Sequence, residues 1–311
     1  MDESIVVAPC GTPANPRTRA DASLRRVQAL ALGALIAGAC SISFAPIFVR
    51  LADTGPIASA FWRCALSLPL MGCWALAGRT AGGEARVPLL PLAGAGLFFA
   101  ADIAVWQVSV LLTSVANSTL LGNTSPIFVT LAGWLLMKQK ATRTYLAGLA
   151  LAVAGMFLLA GANFGGSGTR VLGDALAALT GATYAGYMLS IKAVRGAGVS
   201  TAVSMAWCTT LTALVLSPIA LFAPQPFWPH SMPGWLAVLG LALVVQILGH
   251  GLIAYAFAHL PASLAAVVLL AQPVMSTAFA WKLFDETVGP IQFAGGAIVL
   301  AGIWLSRKGS H

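Results

Sequence analysis

Thr124-Ser125-Pro126-Ile127-Phe128-Val129-Thr130-Leu131-Ala132-Gly133-Trp134 returns 147 residues later as Ala271-Gln272-Pro273-Val274-Met275-Ser276-Thr277-Ala278-Phe279-Ala280-Trp281. Proline, threonine and tryptophan keep their places, and the match widens on both sides. Ser114 to Gly155 lies over Pro261 to Gly302, with Ala147-Gly148 on Ala294-Gly295 and Ala154-Gly155 on Ala301-Gly302. A repeat this long makes half the chain the unit of architecture. Each unit holds about five apolar segments, an organisation typical of carriers built from two related halves.

The class of protein follows from composition. The chain of 311 residues is 59% hydrophobic and 8% charged, where a soluble domain carries about 25% charge. So few charges cannot clothe a water-facing surface, so most of the chain faces lipid or packs within a helix bundle. Ten apolar segments of roughly 20 residues each cross ~30 Å of hydrocarbon as helices. They are expected near 26–48, 56–77, 88–111, 114–137, 144–161, 172–191, 201–223, 234–258, 262–284 and 289–306. The expected fold is all-α, a polytopic membrane protein with ten transmembrane helices in a 5+5 inverted-topology repeat. Residues 1–24 read as a disordered cytoplasmic tail, 25–161 as the first repeat and 162–171 as a Gly-rich linker. Residues 172–306 form the second repeat and 307–311 a short cytoplasmic tail.

Basic residues set the orientation. With both termini in the cytoplasm, that side receives Arg17, Arg19, Arg25, Arg26, Arg79, Arg86, Lys138, Lys140, Arg143, Lys192, Arg195, Arg307 and Lys308. The far side receives only Arg50, Arg170 and Lys282. Thirteen against three satisfies the positive-inside rule. It also assigns the net charge of +8 to membrane orientation rather than nucleic acid. Five helices per half turn the second half upside down, so a pseudo-two-fold axis lies in the membrane plane. The five cysteines show no ligand spacing and no GxxxxGK[ST] pattern occurs, so neither a metal, a cofactor nor an ATP motor is expected.

Phe61-Trp62-Arg63 early in the second helix resembles the aromatic–arginine signature of the EamA family, within the drug/metabolite transporter superfamily. Leu260-Pro261-Ala262-Ser263, Pro273 and Asp285-Glu286 in the ninth helix, and Gln292, Gly295 and Gly302 in the tenth, are similar to that family's pattern. The resemblance runs over roughly 28–306. It implies an inverted-repeat carrier and not an enzyme; the best-described members, of the YddG type, export aromatic and other neutral amino acids. One position departs: Gln139 stands where the family ends its fourth helix with glutamate.

Polar residues at membrane depth are costly and mark candidate sites. Asp102 in the third helix either faces a cavity, binding a substrate ammonium or a proton, or pairs structurally with a neighbouring helix. Trp106 shares its face one turn on, with Gln107 adjacent. Gln246 and His250 are four apart in the eighth helix and near-equivalent to that pair across the pseudo-axis. His250 reads either as a titrating group or as a neutral packing residue. Thr180, Thr183, Tyr184 and Tyr187 share a face of the sixth helix, suited either to an amphipathic solute or to interhelical hydrogen bonding. Asn123 and Gln272 lean toward the cavity from the two proline helices, while Thr124 and Ser125 serve the carbonyls that the prolines free.

Trp62 and Arg63 are read as a gate or as a carboxylate contact, with snorkelling of Arg63 to the outer interface as the plain alternative. Pro69, Pro126, Pro218 and Pro273 are expected helix kinks and gate elements. The repeated glycines fit close helix packing, within the bundle or against a second protomer. The residues thus suggest a secondary transporter in a bacterial inner membrane, a monomer or homodimer working on small organic solutes. Amino-acid export is the choice that the family resemblance makes. Nucleosides, purines or S-adenosylmethionine-like solutes use the same scaffold, and a channel or an integral membrane enzyme are the alternatives of other class.

Overall fold

The computed structural model describes residues 16–77, 88–113, 115–138, 141–160, 168–284 and 289–309; Gln139 and Asp285-Glu286 lie outside the described residues. All the regular structure among them is helical. The helices are α1 (Pro16–Ile42), α2 (Ala45–Leu51), α3 (Pro56–Ala77), α4 (Leu89–Leu112), α5 (Val115–Gly122), α6 (Ser125–Met137) and α7 (Arg143–Ala160). They continue as α8 (Gly168–Gly196), α9 (Thr201–Phe222), α10 (Met232–Gly240), α11 (Gly251–Phe257), α12 (Ala262–Val268), α13 (Ala271–Phe284) and α14 (Pro290–Gly309). A π-helical stretch, Leu241–His250, joins α10 to α11 without a break. α1 begins at Pro16, inside the stretch expected as a tail.

Six of the described stretches are long and apolar enough to cross a membrane, and Leu120–Leu135 and Arg143–Leu159 are apolar but shorter. The protein is a multi-pass membrane protein. In lipid, backbone groups must be satisfied internally, so an interruption in such a helix has to be repaired by side chains. Pro126 and Pro273 do more than kink their helices. α5 stops at Gly122 and α6 restarts at Ser125, while α12 stops at Val268 and α13 restarts at Ala271. Thr124 Oγ1 donates to the Leu121 carbonyl at 2.5 Å, closing one break. At the other, the Gln272 N–H donates to the Leu269 carbonyl at 3.0 Å. A third break, before Pro46, separates α1 from α2, and Ser43 Oγ reaches both Ala39 O at 2.8 Å and Gln272 O at 3.1 Å. Pro69 and Pro218 differ, because α3 and α9 continue through them without a break.

The helices pair in a regular way: α4 with α8, α1 with the π stretch and α11, α3 with α9, and α7 with α14. α6 also packs on α8, and α13 on α1. With no hydrophobic drive between helices in lipid, close approach of small residues holds such pairs. The repeated glycines do this inside the chain. A Cβ on Gly155 would stand 2.8 Å from the Gly295 carbonyl, and one on Gly302 would stand 2.7 Å from the Ala152 Cα. One large buried cluster, including Leu35, Met188, Ile191, Phe257, Leu264 and Ala265, packs α1, α8, α11 and α12 together.

Candidate functional site

A cavity of about 170 Å³ lies between helices of both halves. Its walls come from the α1–α2 break (Ser43, Pro46), α3 (Ser59, Arg63), α4 (Phe99, Asp102, Trp106, Gln107), the α5–α6 break (Gly122, Asn123) and α8 (Thr180, Tyr184). His250, Gln272, Pro273 and Ser276 complete them. Broken helices thus face the cavity from three directions, where irregular backbone is tolerated in a membrane. Gly181 beside the wall has no room for a side chain: a Cβ there would collide with Thr124 Oγ1.

Most of the polar residues singled out in the sequence meet here. Asp102, Trp106, Gln107, Asn123, Tyr184, His250 and Gln272 all line the cavity, and Asp102 and Trp106 project together as their spacing predicts. Three others do not. Tyr187 is fully buried, stacked on Tyr184 with ring centroids 5.6 Å apart and donating to Met205 Sδ at 3.9 Å. Thr183 and Thr180 both spend their hydroxyls on their own helix, on Thr180 O at 3.0 Å and Leu176 O at 3.2 Å, and of the two Thr180 lines the wall. Gln246 is fully buried behind the wall, accepting from Arg63 Nε at 2.9 Å and donating to Thr209 Oγ1 at 3.0 Å.

Gln246 and His250 both belong to the π stretch, and their partners divide them: Gln246 is claimed by Arg63 and Thr209, while only His250 lines the cavity. His250 Nδ1 lies 3.0 Å from Val245 O, five residues back. Such stretches recur at functional sites. His250 turns to the cavity and meets Phe99 edge-on at 4.9 Å, while Gln246 turns to α3 and α9.

Arg63 does not snorkel. Its guanidinium lines the cavity, with Cζ 5.5 Å from the centre of the Phe99 ring. Neither its terminal nitrogens nor the Asp102 carboxylate has a hydrogen-bond partner among the described residues. Gln272 Nε2 is likewise buried without a partner among them. An uncommitted cation, carboxylate and amide around aromatic faces can hold a small polar organic molecule at several points.

Trp62 takes no part in the cavity wall. Its Nε1 donates to Phe227 O at 2.8 Å, and its ring packs on Phe227, Trp228 and Trp235 in a cluster at the α9–α10 connection. Asp53 lies at the same rim, where the Ser231 hydroxyl holds its carboxyl below the usual carboxylate range. Of the expected gate prolines, Pro273 lines the cavity, Pro126 is buried at its break, and Pro69 and Pro218 stand apart from it.

The model of the EamA-like transporter family matches residues 29–161 and again residues 171–307. The chain belongs to the EamA-like transporter family. An uncharacterized transporter of Archaeoglobus fulgidus is 28% identical over 281 residues, covering 86% of this chain and 93% of its own. A probable amino-acid metabolite efflux pump of Salmonella typhimurium is 27% identical over 238 residues, covering 72% of this chain and 78% of its own. A solved crystal structure shares the fold with a TM-score of 0.73 at 20% identity, covering 91% of this chain and 98% of that one.

In this EamA-like transporter, Phe99, Ser43 and Thr209 escaped the sequence reading. Phe99 had a signal: it stands three residues before Asp102 and seven before Trp106, on one helical face. Ser43 and Thr209 had none, since a hydroxyl in an apolar helix most often bonds its own backbone.

Proposed function

We propose that this protein exports amino acids, aromatic and neutral ones first, across a bacterial inner membrane by alternating access. The observation that carries the reading is the cavity itself, where Arg63 and Asp102 offer opposite charges beside Phe99, Trp106 and Tyr184. An α-amino acid carries the complementary pair of charges, and a large side chain finds aromatic faces. The Salmonella relative, named a probable amino-acid metabolite efflux pump, supports the same class of cargo.

The proposed topology is ten helices in two inverted repeats, 25–161 and 172–306, with both termini cytoplasmic. The pairing supports it: exchanging the halves maps α1 on the π stretch to α8 on α4, and returns α3–α9 and α7–α14 to themselves. The breaks at Pro126 and Pro273 are related in the same way. With that topology the cavity opens outward, the part of the buried cluster around Phe257 and Leu264 acts as a plug on the cytoplasmic side, and rocking of the halves exchanges them. The functional unit is a monomer or homodimer.

Purified protein in liposomes tests this. Saturable counterflow of labelled phenylalanine is expected. Non-saturating flux would indicate a channel, chemical conversion an enzyme, and absence of competition by every amino acid would sink the cargo assignment.

A further inference from the structure

The cavity contains an arginine whose aim is set by residues that never touch the cavity. Arginine can only donate, so the Gln246 atom 2.9 Å from Arg63 Nε must be the amide oxygen. That turns the Gln246 Nε2 group to Thr209 Oγ1 at 3.0 Å. Thr209 accepts there because its own hydrogen points to Met71 Sδ at 3.4 Å, and a thioether can only accept. Each link therefore has one consistent direction. Gln246, Thr209 and Met71 are all fully buried, on three different helices. Phe99 lies on the guanidinium, 5.5 Å from Cζ to the ring centre. With Nε held by Gln246 and Cζ over the Phe99 ring, the two terminal nitrogens are left to the cavity as a planar fork. Such a fork matches a carboxylate in two parallel bonds, which a lysine in its place would not do.

We propose that Arg63 is the carboxylate-binding group of the cavity, aimed by Gln246 and Thr209 acting as positioning residues. The cargo is then an organic acid or amino acid gripped by its carboxylate. This rests on the reading above that the central cavity is the transport site. Asp102 stands in the same cavity as the separate anchor for an ammonium group.

Three probes divide the possibilities: phenylalanine, 3-phenylpropionate, which keeps only the carboxylate, and phenethylamine, which keeps only the ammonium. Binding to purified full-length protein is measured for wild type, Gln246→Leu, Thr209→Val and Thr209→Ser. Thr209→Val is nearly isosteric and removes the acceptor that orients Gln246. It carries the test even where Gln246→Leu does not fold. Affinity for phenylalanine and 3-phenylpropionate is expected to fall about tenfold in Thr209→Val, the scale of one charge-assisted hydrogen bond. Phenethylamine stays within about twofold, and Thr209→Ser restores wild-type affinity.

A loss shared equally by all three probes, or no binding of either carboxylate to wild type, overturns the assignment. Arg63→Lys keeps the charge and loses the fork; phenylalanine counterflow that ignores both Arg63→Lys and Thr209→Val leaves amino-acid transport standing and removes the role of Arg63. Thr209-dependent binding of 3-phenylpropionate without phenylalanine counterflow does the reverse.

Discussion

Lys192, in the last two turns of α8, donates its ammonium to two backbone carbonyls, Leu260 O at 2.7 Å and Phe257 O at 3.1 Å. Phe257 ends α11 and Leu260 stands just before α12, so one side chain ties α8 to the segment that the proposed topology makes the cytoplasmic plug. Lys192→Met keeps the length of the stem and removes both bonds. A hydrogen bond to a charged group is worth about 1.5–3 kcal/mol. Both carbonyls lie at helix ends, where water replaces the ammonium once the segment swings open, so the net loss is set at the low end of that range. About 1.5 kcal/mol converts to a roughly tenfold shift of the closed-to-open equilibrium. Ala265, fully buried in the plug, reports the opening. In a background lacking the native cysteines, an Ala265→Cys variant is labelled with a membrane-impermeant maleimide in right-side-out and in inside-out vesicles. The rate from the cytoplasmic side is expected to rise about tenfold with Lys192→Met and to stay near wild type with Lys192→Arg. An unchanged rate in Lys192→Met refutes the reasoning, as does an equal rise in Lys192→Arg.

Asp102→Asn removes the carboxylate from the cavity wall; binding of phenethylamine is expected to weaken about tenfold or more while 3-phenylpropionate, relieved of a like charge in the same cavity, binds as well or better, read by competition binding. Tyr184→Ala removes an aromatic wall, so transport affinity for phenylalanine should fall about tenfold, with threonine changing less than about threefold; equal losses would mark a packing residue. A methyl group added by Gly302→Ala lands 2.7 Å from the Ala152 Cα and Cβ and should cost about 1–3 kcal/mol, seen as a lower unfolding temperature in detergent. Gly72→Ala, in α3 with no atom within 4 Å of the added group, should instead leave stability unchanged or raise it by up to about 1 kcal/mol.

The duplicated proline segment, the scarcity of charge and the aromatic–arginine motif were enough to read an all-helical membrane protein of a transporter family. Apolar length and composition are local properties, and a lipid environment leaves the backbone little choice but helix. Asp102 and Trp106 were legible for a similar reason, because an ordinary α-helix carries residues four apart on one face. Tertiary structure decided the rest. Gln246 and His250 were divided by their neighbours, since Arg63 of α3 and Thr209 of α9 claim the Gln246 amide and only His250 reaches the cavity. Spacing on one helix says nothing of its neighbours, so the burial of Tyr187, the Trp62 cluster and the Gln246–Thr209 support of Arg63 appeared only when the helices were packed. The repeated glycines announced close packing without naming a partner, and geometry assigned them to α7 against α14. Sequence by itself thus determined that the chain is a helical multi-pass membrane protein and which polar groups its apolar segments carry. Which of those groups share one cavity was decided by long-range packing, because contacts between helices depend on residues far apart along the chain.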